Sequence, residues 1–134
     1  MAGIRGLLKE NRGQGLVEMA IVLPVFILLF FGIIEFGRIF NAFLVTKEAS
    51  REGARLAALG HENSIVVDAA RDAAGIFDSK AVEVSISPSD MSNRKKGNAV
   101  TVTVSYTVDL VAPVISGILG EEFPVSASTV MRVE

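Results

Sequence analysis

The stretch Arg12-Gly-Gln-Gly-Leu-Val-Glu18 opens an apolar run that continues to Ile34. Residues 19–34 contain no charge, and as a helix these sixteen residues would rise roughly 24 Å, short of a hydrocarbon core of about 30 Å. Counting from Leu16 gives nineteen residues and roughly 28 Å, but this places Glu18 inside or at the edge of the bilayer. The sequence therefore predicts a transmembrane helix over residues 16–34 with one carboxylate near its start.

Two interpretations of Glu18 are open on the residues alone. An acidic side chain costs about 2.5–3.5 kcal/mol at the centre of a membrane helix and less near its ends. The carboxylate either snorkels into the headgroup region or is kept there for a function. Its neighbourhood favours a function, because a basic leader with Arg5, Lys9 and Arg12 ends at Gly13, five residues before Glu18. By the positive-inside rule these cations keep the N-terminus in the cytoplasm and send the C-terminal part outward.

Pro24 lies inside the predicted span, where it removes a backbone donor and is expected to kink or loosen the helix. It is either a tolerated kink or a hinge used when the chain leaves the bilayer. An ordinary secretory signal peptide fits poorly, because the apolar run is long and no small-x-small cleavage site follows it. The hydrophobic helix is therefore expected to remain in the mature chain.

Beyond Ile34 the apolar residues follow one helical face, in the order Phe36, Ile39, Phe40, Phe43 and Leu44. Small residues come next, interleaved with charges. The pattern predicts one helix over residues 14–59, an amphipathic stalk from residue 35 onward, with Gly60 as its stop. Its charged residues are candidates for contacts between neighbouring subunits, with a solvated face as the alternative: Glu35, Arg38, Arg51, Glu52 and Arg55.

Residues 60–134 predict a small extracytoplasmic α+β domain. A helix capped by Asn63 or Ser64 should end at Gly75, and period-two alternation over residues 82–86, 100–108 and 125–133 predicts three strands. The basic triplet at residues 94–96 is interpreted as a solvated loop tip, with an anionic surface as the alternative. The predicted fold is α+β: a long N-terminal helix packed on a small three-stranded antiparallel sheet with one short helix.

Composition excludes several classes of function. The 134 residues carry a net charge of −2 and no cysteine, so disulfides are absent and nothing suggests nucleic acid. His61 stands alone, without a second ligand for a metal. No phosphate loop, nucleophile elbow or catalytic constellation is present. We therefore expect no cofactor and no metal, and we expect that the protein is not an enzyme.

A family resemblance is carried by four segments that follow the basic leader. They are Gly13-Gln-Gly-Leu-Val-Glu18, Val22-Leu-Pro24, Gly32-Ile-Ile-Glu-Phe-Gly-Arg38 and Ala49-Ser-Arg-Glu-Gly-Ala-Arg55. The start resembles the class III signal of type IV pilins, and the whole resembles TadE-like pilins of the Tad (tight adherence) pilus. The resemblance covers residues 12–58, and Met19 stands where the family usually has a large aromatic residue.

The resemblance implies that a prepilin peptidase removes residues 1–13 by cutting between Gly13 and Gln14, with methylation as an accompanying modification. Glu18 would then be the fifth residue, paired with the α-amino group of Gln14 within one subunit or between subunits. The resemblance implies a minor pilin, anchored in the bacterial inner membrane and later part of a cell-surface pilus that serves adhesion. Its partners would be the peptidase, other pilin subunits and the assembly platform.

Two alternatives remain. A major pilin is the nearer one, although major pilins of the family are usually very short. The other is a single-pass, membrane-anchored binding module that does not polymerise.

Overall fold

The structure, a computed structural model, describes residues 7–75, 77–78 and 81–134, with side chains described from residue 13 onward. Residues 1–6 of the predicted leader lie outside the described part. The elements in chain order are α1 (Leu7–Ala58), α2 (Asn63–Ala73), β1 (Glu83–Ser87), a 3-10 turn (Met91–Asn93), β2 (Ala99–Asp109), α3 (Pro113–Leu119) and β3 (Glu122–Arg132). The predicted α+β class, with a long N-terminal helix and a three-stranded antiparallel sheet, is confirmed.

Helix α1 is 52 residues long and runs through Pro24 without interruption. It ends where Gly60 takes a left-handed conformation with φ of 81°. The His61 N–H donates to the Leu56 carbonyl and the Gly60 N–H donates to the Ala57 carbonyl, both at 3.2 Å. This pair of bonds is the Schellman arrangement, which needs a residue that tolerates positive φ, and glycine supplies it at the predicted stop.

The sheet has the order β1-β2-β3, with both pairs antiparallel. Its register brings Ile86 opposite Val102 and Val102 opposite Thr129, so these side chains share the face that meets α1. Valines on this face, Val100, Val102 and Val104, are completely buried. The other face is rich in serine and threonine, whose hydroxyls pair across strands. Alternation of valine with hydroxyl residues therefore decides which face is inside.

The sheet lies along the C-terminal part of α1, from Glu35 to Ala58, which we call the upper half. Hydrogen bonds attach the domain to this part of α1 at both ends. At one end the Glu134 N–H donates to the Ala58 carbonyl at 3.0 Å. At the other end the Val111 N–H donates to the Glu35 carboxylate at 3.3 Å. Between them, Lys47 Nζ donates to the Ser128 carbonyl at 2.7 Å. The segment from Glu35 to Ala58 is thus the part of α1 that belongs to the domain.

Small side chains of α1 form its contact with the sheet and α2. They recur at the spacing of one helical face and all are buried: Ala42, Thr46, Ala49, Ser50, Gly53, Ala54, Ala57 and Ala58. A Cβ placed on Gly53 would lie 3.0 Å from Val102 Cγ1 and 3.3 Å from the Cβ of Ala70. At Gly53, therefore, α1, α2 and the sheet approach one another closely.

Two sequence-based expectations about the start of α2 and the following loop are wrong. The N-cap of α2 is Glu62, without a side-chain cap bond, and not Asn63 or Ser64. Asn63 is occupied elsewhere: its amide donates to the Ser89 carbonyl at 2.8 Å and its oxygen accepts from Arg94. Arg94 is itself buried and donates to the Pro88 carbonyl at 2.9 Å. It fastens the β1–β2 loop to α2, so only Lys95 and Lys96 of the basic triplet are exposed.

Candidate membrane and assembly surface

Residues 13–34, which we call the lower half of α1, have the surface of a membrane helix. Of the described residues, α1 alone forms a helix long and apolar enough to cross a membrane, with a mean hydropathy of 2.7 in its most apolar window. No side chain of residues 13–34 is buried, and Phe30 and Ile33 are 62% and 60% exposed. In water such a surface would be strongly unfavourable. It suits a segment whose surroundings are hydrocarbon.

Glu18 lies on this apolar surface, between the exposed side chains of Val17 and Met19. It makes no ion pair with any side chain that the structure describes. A carboxylate in such surroundings is expected to find a cation or a hydrogen-bond donor when the chain is in lipid or in an assembly. Its role in pairing stays a prediction.

The predicted cleavage point, Gly13–Gln14, lies within α1 and not in an extended segment. A Cβ added at Gly13 or Gly15 would meet no atom within 4 Å, so both glycines border open space. Two glycines weaken a helix by about 0.8–1.0 kcal/mol each relative to alanine. The helix is therefore locally weak at the bond that a peptidase would have to reach.

The aromatic face of the predicted stalk is on the outside of the domain. Phe36 and Phe40 stack with their ring centroids 6.1 Å apart and are 69% and 51% exposed. An open apolar groove lies beside them, lined by Phe36, Ile39, Phe40, Phe43, Phe123 and Pro124. The small residues of the stalk thus face the sheet, Ile39 packs partly buried against the domain, and Phe36, Phe40 and Phe43 remain exposed.

Glu35 marks the boundary between the apolar surface and the domain. It is 3% exposed, and its Oε1 accepts from Arg38 Nη1 at 2.9 Å and from the Val111 N–H. Burial of a carboxylate is tolerable when it is paired in this way. The structure thus gives Glu35 a role inside the chain, joining α1 to the connection that follows β2. A contact from Glu35 to a neighbouring subunit would require exposing this side chain.

The other predicted contact residues form ion pairs along the exposed side of α1. Arg55 donates to Glu52 through two nitrogens, at 2.6 Å and 3.0 Å, while Arg51 and Glu48 lie 3.8 Å apart. The hydrogen bonds from Arg55 lower the pKa of Glu52 and raise the pKa of Arg55. Because all four side chains are at least a third exposed, these pairs contribute little to stability. They remain accessible, and their contact with another subunit stays a prediction.

Sequence reasoning did not predict that α3 lies beside the lower half of α1. Ile115 Cδ1 comes within 4.0 Å of the position that a Cβ on Gly32 would take. The signal that could have revealed it is the charge-free run over residues 110–120, which joins β2 to β3. Residues 113–120 predict a short helix or turn that crosses over to the last strand, but they do not predict its position beside α1.

Among the described residues, no group of three or more His, Cys, Asp or Glu side chains could hold a metal ion. His61 is exposed, beyond the end of α1.

Comparison with known proteins supports the resemblance seen in the motifs. The family model for TadE-like protein matches residues 13–55, which is 43 of the 134 residues. The match lies wholly within α1, and it associates this helix with the pilin-like proteins of the Tad pilus, a structural family. Searches of curated proteins and of solved structures gave no significant match. The similarity therefore covers the lower half of α1 and most of its upper half. The sheet lies outside the matched residues.

Proposed function

We propose that the protein is a minor pilin, a structural subunit of a Tad-type pilus that serves adhesion and surface attachment. Before assembly, α1 holds it in the bacterial inner membrane with the sheet domain outside. The observation that carries the proposal is the family match over residues 13–55 on a helix whose lower half buries no side chain. Such a helix needs lipid around it before assembly and other helices around it afterwards.

The sheet domain supports a minor pilin over a major one. Residues 63–132 add a sheet and two short helices to α1, whereas major pilins of the family that the sequence resembles are usually very short. In the proposed filament the aromatic face of α1 is an assembly surface, because Phe36, Phe40 and Phe43 remain 69%, 51% and 44% exposed beside the domain. The partners are then other pilin subunits and the assembly platform.

Processing by a prepilin peptidase is the first step of the proposal. The Gly13–Gln14 bond lies where two glycines weaken α1, so local unwinding exposes it at modest cost. Intact-mass measurement on membrane-extracted protein should give a chain that begins at Gln14. Gly13→Lys should abolish the cut, while Gly37→Lys, at another helical glycine with open space around it, should leave it intact. Retention of residues 1–13 in cells that contain the peptidase would contradict the proposal.

Assembly is the second step, and it depends on Glu18. After cleavage the cationic α-amino group of Gln14 is about one helical turn from this carboxylate. Pairing between an incoming subunit and one already assembled would fix their axial register, because two charges near lipid are tolerable mainly as a pair. Glu18→Gln should leave insertion and cleavage intact and reduce piliation in a deletion strain.

The control for this experiment is Glu83→Gln, which changes an exposed carboxylate on β1, away from α1. It should restore piliation to the wild-type level. If Glu18→Gln does so as well, Glu18 is only an interfacial carboxylate. An uncleaved chain that is also indifferent to Glu18 would favour a membrane-anchored binding module that does not polymerise.

The orientation follows from the basic leader. With Arg5, Lys9 and Arg12 in the cytoplasm, protease added outside spheroplasts should digest residues 60–134 and spare the membrane helix. Protection of the sheet domain would reverse the proposed topology.

A further inference from the structure

The connection between β2 and β3 extends from the sheet towards the lower half of α1. The Leu110 N–H donates to the Glu121 carbonyl at 2.8 Å, which closes this connection at its base. Beyond that bond the chain forms α3 and returns through Gly120, whose φ is 94°. No charged residue occurs in residues 110–120.

Two contacts show where the connection lies along α1. Val111 meets Glu35, and Ile115 meets Gly32 one turn lower, about 5 Å further into the apolar segment. Below this point an apolar groove lies between the two segments, lined by residues that include Leu23, Ile27 and Phe31 of α1 and Pro113 and Val114. The sheet lies on one side of Glu35 and α3 lies on the other.

The segment from Val111 to Leu119 leaves several apolar side chains exposed, including Val114 beside the groove to α1. Val111 is 68% exposed, Val114 53%, Ile118 78% and Leu119 55%. This surface is continuous with the exposed apolar surface of α1, whose neighbouring residues Leu28 and Ile33 are 44% and 60% exposed. Carboxylates at Asp109, Glu121 and Glu122 begin directly where the apolar run ends.

We propose that residues 111–119 form a second membrane contact, inserted among the lipid acyl chains of the leaflet on the side of the sheet domain. The inference rests on α1 being the membrane anchor, and it is independent of whether the chain polymerises. If residues 16–34 cross the bilayer, a helix at the level of Gly32 is surrounded by hydrocarbon. Transfer of its exposed side chains from water to lipid is then favourable.

The flanking charges indicate which part of the lipid is bound. Asp109, Glu121 and Glu122 would lie at the headgroup level and would be repelled by anionic lipid. Apolar burial therefore drives the contact, and insertion should occur in vesicles of phosphatidylcholine. Together with α1, this contact makes a two-point attachment that holds the sheet domain at a fixed height and orientation above the membrane.

The test uses the full chain, which has no native cysteine, reconstituted in phosphatidylcholine vesicles. Single cysteines carry a polarity-sensitive fluorophore, and lipids with a nitroxide on the acyl chain act as quenchers. Ile118→Cys reports on α3, and Phe30→Cys reports on the span. Val130→Cys is the matched control, because Val130 is an apolar residue that is 62% exposed near the other end of β3.

We expect the labels at positions 118 and 30 to lose most of their fluorescence and the label at position 130 to lose none. Substituting Val114→Ser and Ile118→Ser together should restore most of the fluorescence of a label at Leu119→Cys. If position 30 is quenched and position 118 is not, the second contact is wrong while the anchor stands. If position 30 is also unquenched, α1 does not span the bilayer and both proposals fall.

A second copy of the chain is the competing occupant of this surface. It predicts a label at position 118 that is shielded from water but not quenched by the lipid nitroxide. That shielding would increase with the protein-to-lipid ratio, and such a result would overturn the proposal. Quenching that is independent of this ratio supports lipid.

Discussion

The two halves of α1 have opposite surfaces, although one uninterrupted helix contains both. Residues 16–34 carry large apolar side chains, and none of them is buried within the chain. From Ala42 to Ala58 the residues of α1 that are buried are small, and Ala49, Ala54 and Ala57 are completely buried. Size, and not hydrophobicity alone, separates the buried residues that pack on the domain from the exposed residues of the apolar segment. A helix that presents alanine and glycine can approach a sheet closely, whereas the larger phenylalanine and leucine side chains suit surroundings that adapt to their shape.

The largest effect should come from placing a large side chain on the small face. Ala54→Leu inserts three carbons at a position with no exposed area, and overpacking of this kind costs about 3 kcal/mol. Tyr106 is the only tyrosine and there is no tryptophan, so its fluorescence reports unfolding of the sheet in detergent. The denaturant midpoint should fall sharply. Phe40→Leu, on the exposed face, should change the free energy of unfolding by less than about 0.5 kcal/mol. Equal effects would show that the two faces are not distinct.

A smaller and sharper comparison uses the same substitution at two glycines. Gly53→Ala places a methyl 3.0 Å from Val102 Cγ1 and should cost about 1–2 kcal/mol, less any gain in helix propensity. Gly37→Ala meets no atom within 4 Å and should not destabilise the domain. Tyr106 fluorescence in urea gives both midpoints. A Gly53→Ala midpoint at or above the wild-type value would mean that the sheet and α1 adjust without cost.

The boundary between the halves should be weakened by Glu35→Leu. The change removes the acceptor for the Val111 N–H and for Arg38, and loss of such buried hydrogen bonds costs about 1–2 kcal/mol. It should also speed proteolysis within the connection between β2 and β3. Glu48→Leu, at a carboxylate that is 70% exposed, is the control and should alter neither property. Unchanged proteolysis in Glu35→Leu would show that Glu35 does not hold α3 in place.

The smallest effect is expected for the exposed ion pair between Glu52 and Arg55. Because Arg55 lowers the pKa of Glu52 below its ordinary value of 4.5, the pair contributes stability above that value and loses it as the pH falls through the lowered pKa. Glu52→Gln should therefore leave the unfolding midpoint unchanged within experimental error at neutral pH. It should also reduce the loss of stability that acid causes. A large loss at pH 7 would indicate that this pair is more than a solvated surface contact.

Much of the architecture follows from local patterns in the sequence. The charge-free run predicts the span, Gly60 supplies the positive φ that ends α1, and period-two alternation predicts the three strands. The motifs within residues 13–55, where the TadE-like family model matches, could also be recognised from the sequence alone. These features depend on residues close together in the chain, so sequence reasoning reaches them.

Tertiary structure decided what depends on residues far apart. Asn63 has the chemistry of an N-cap, yet it bonds to Ser89 and Arg94, because their loop folds back onto α2. Arg94 was expected to be solvated and is buried by the same contact. Only the fold brings Val111 to Glu35 and Ile115 to Gly32, across more than 70 residues of sequence. Local propensity sets the elements, but packing chooses which faces meet, because burial is gained only where surfaces from distant segments fit together.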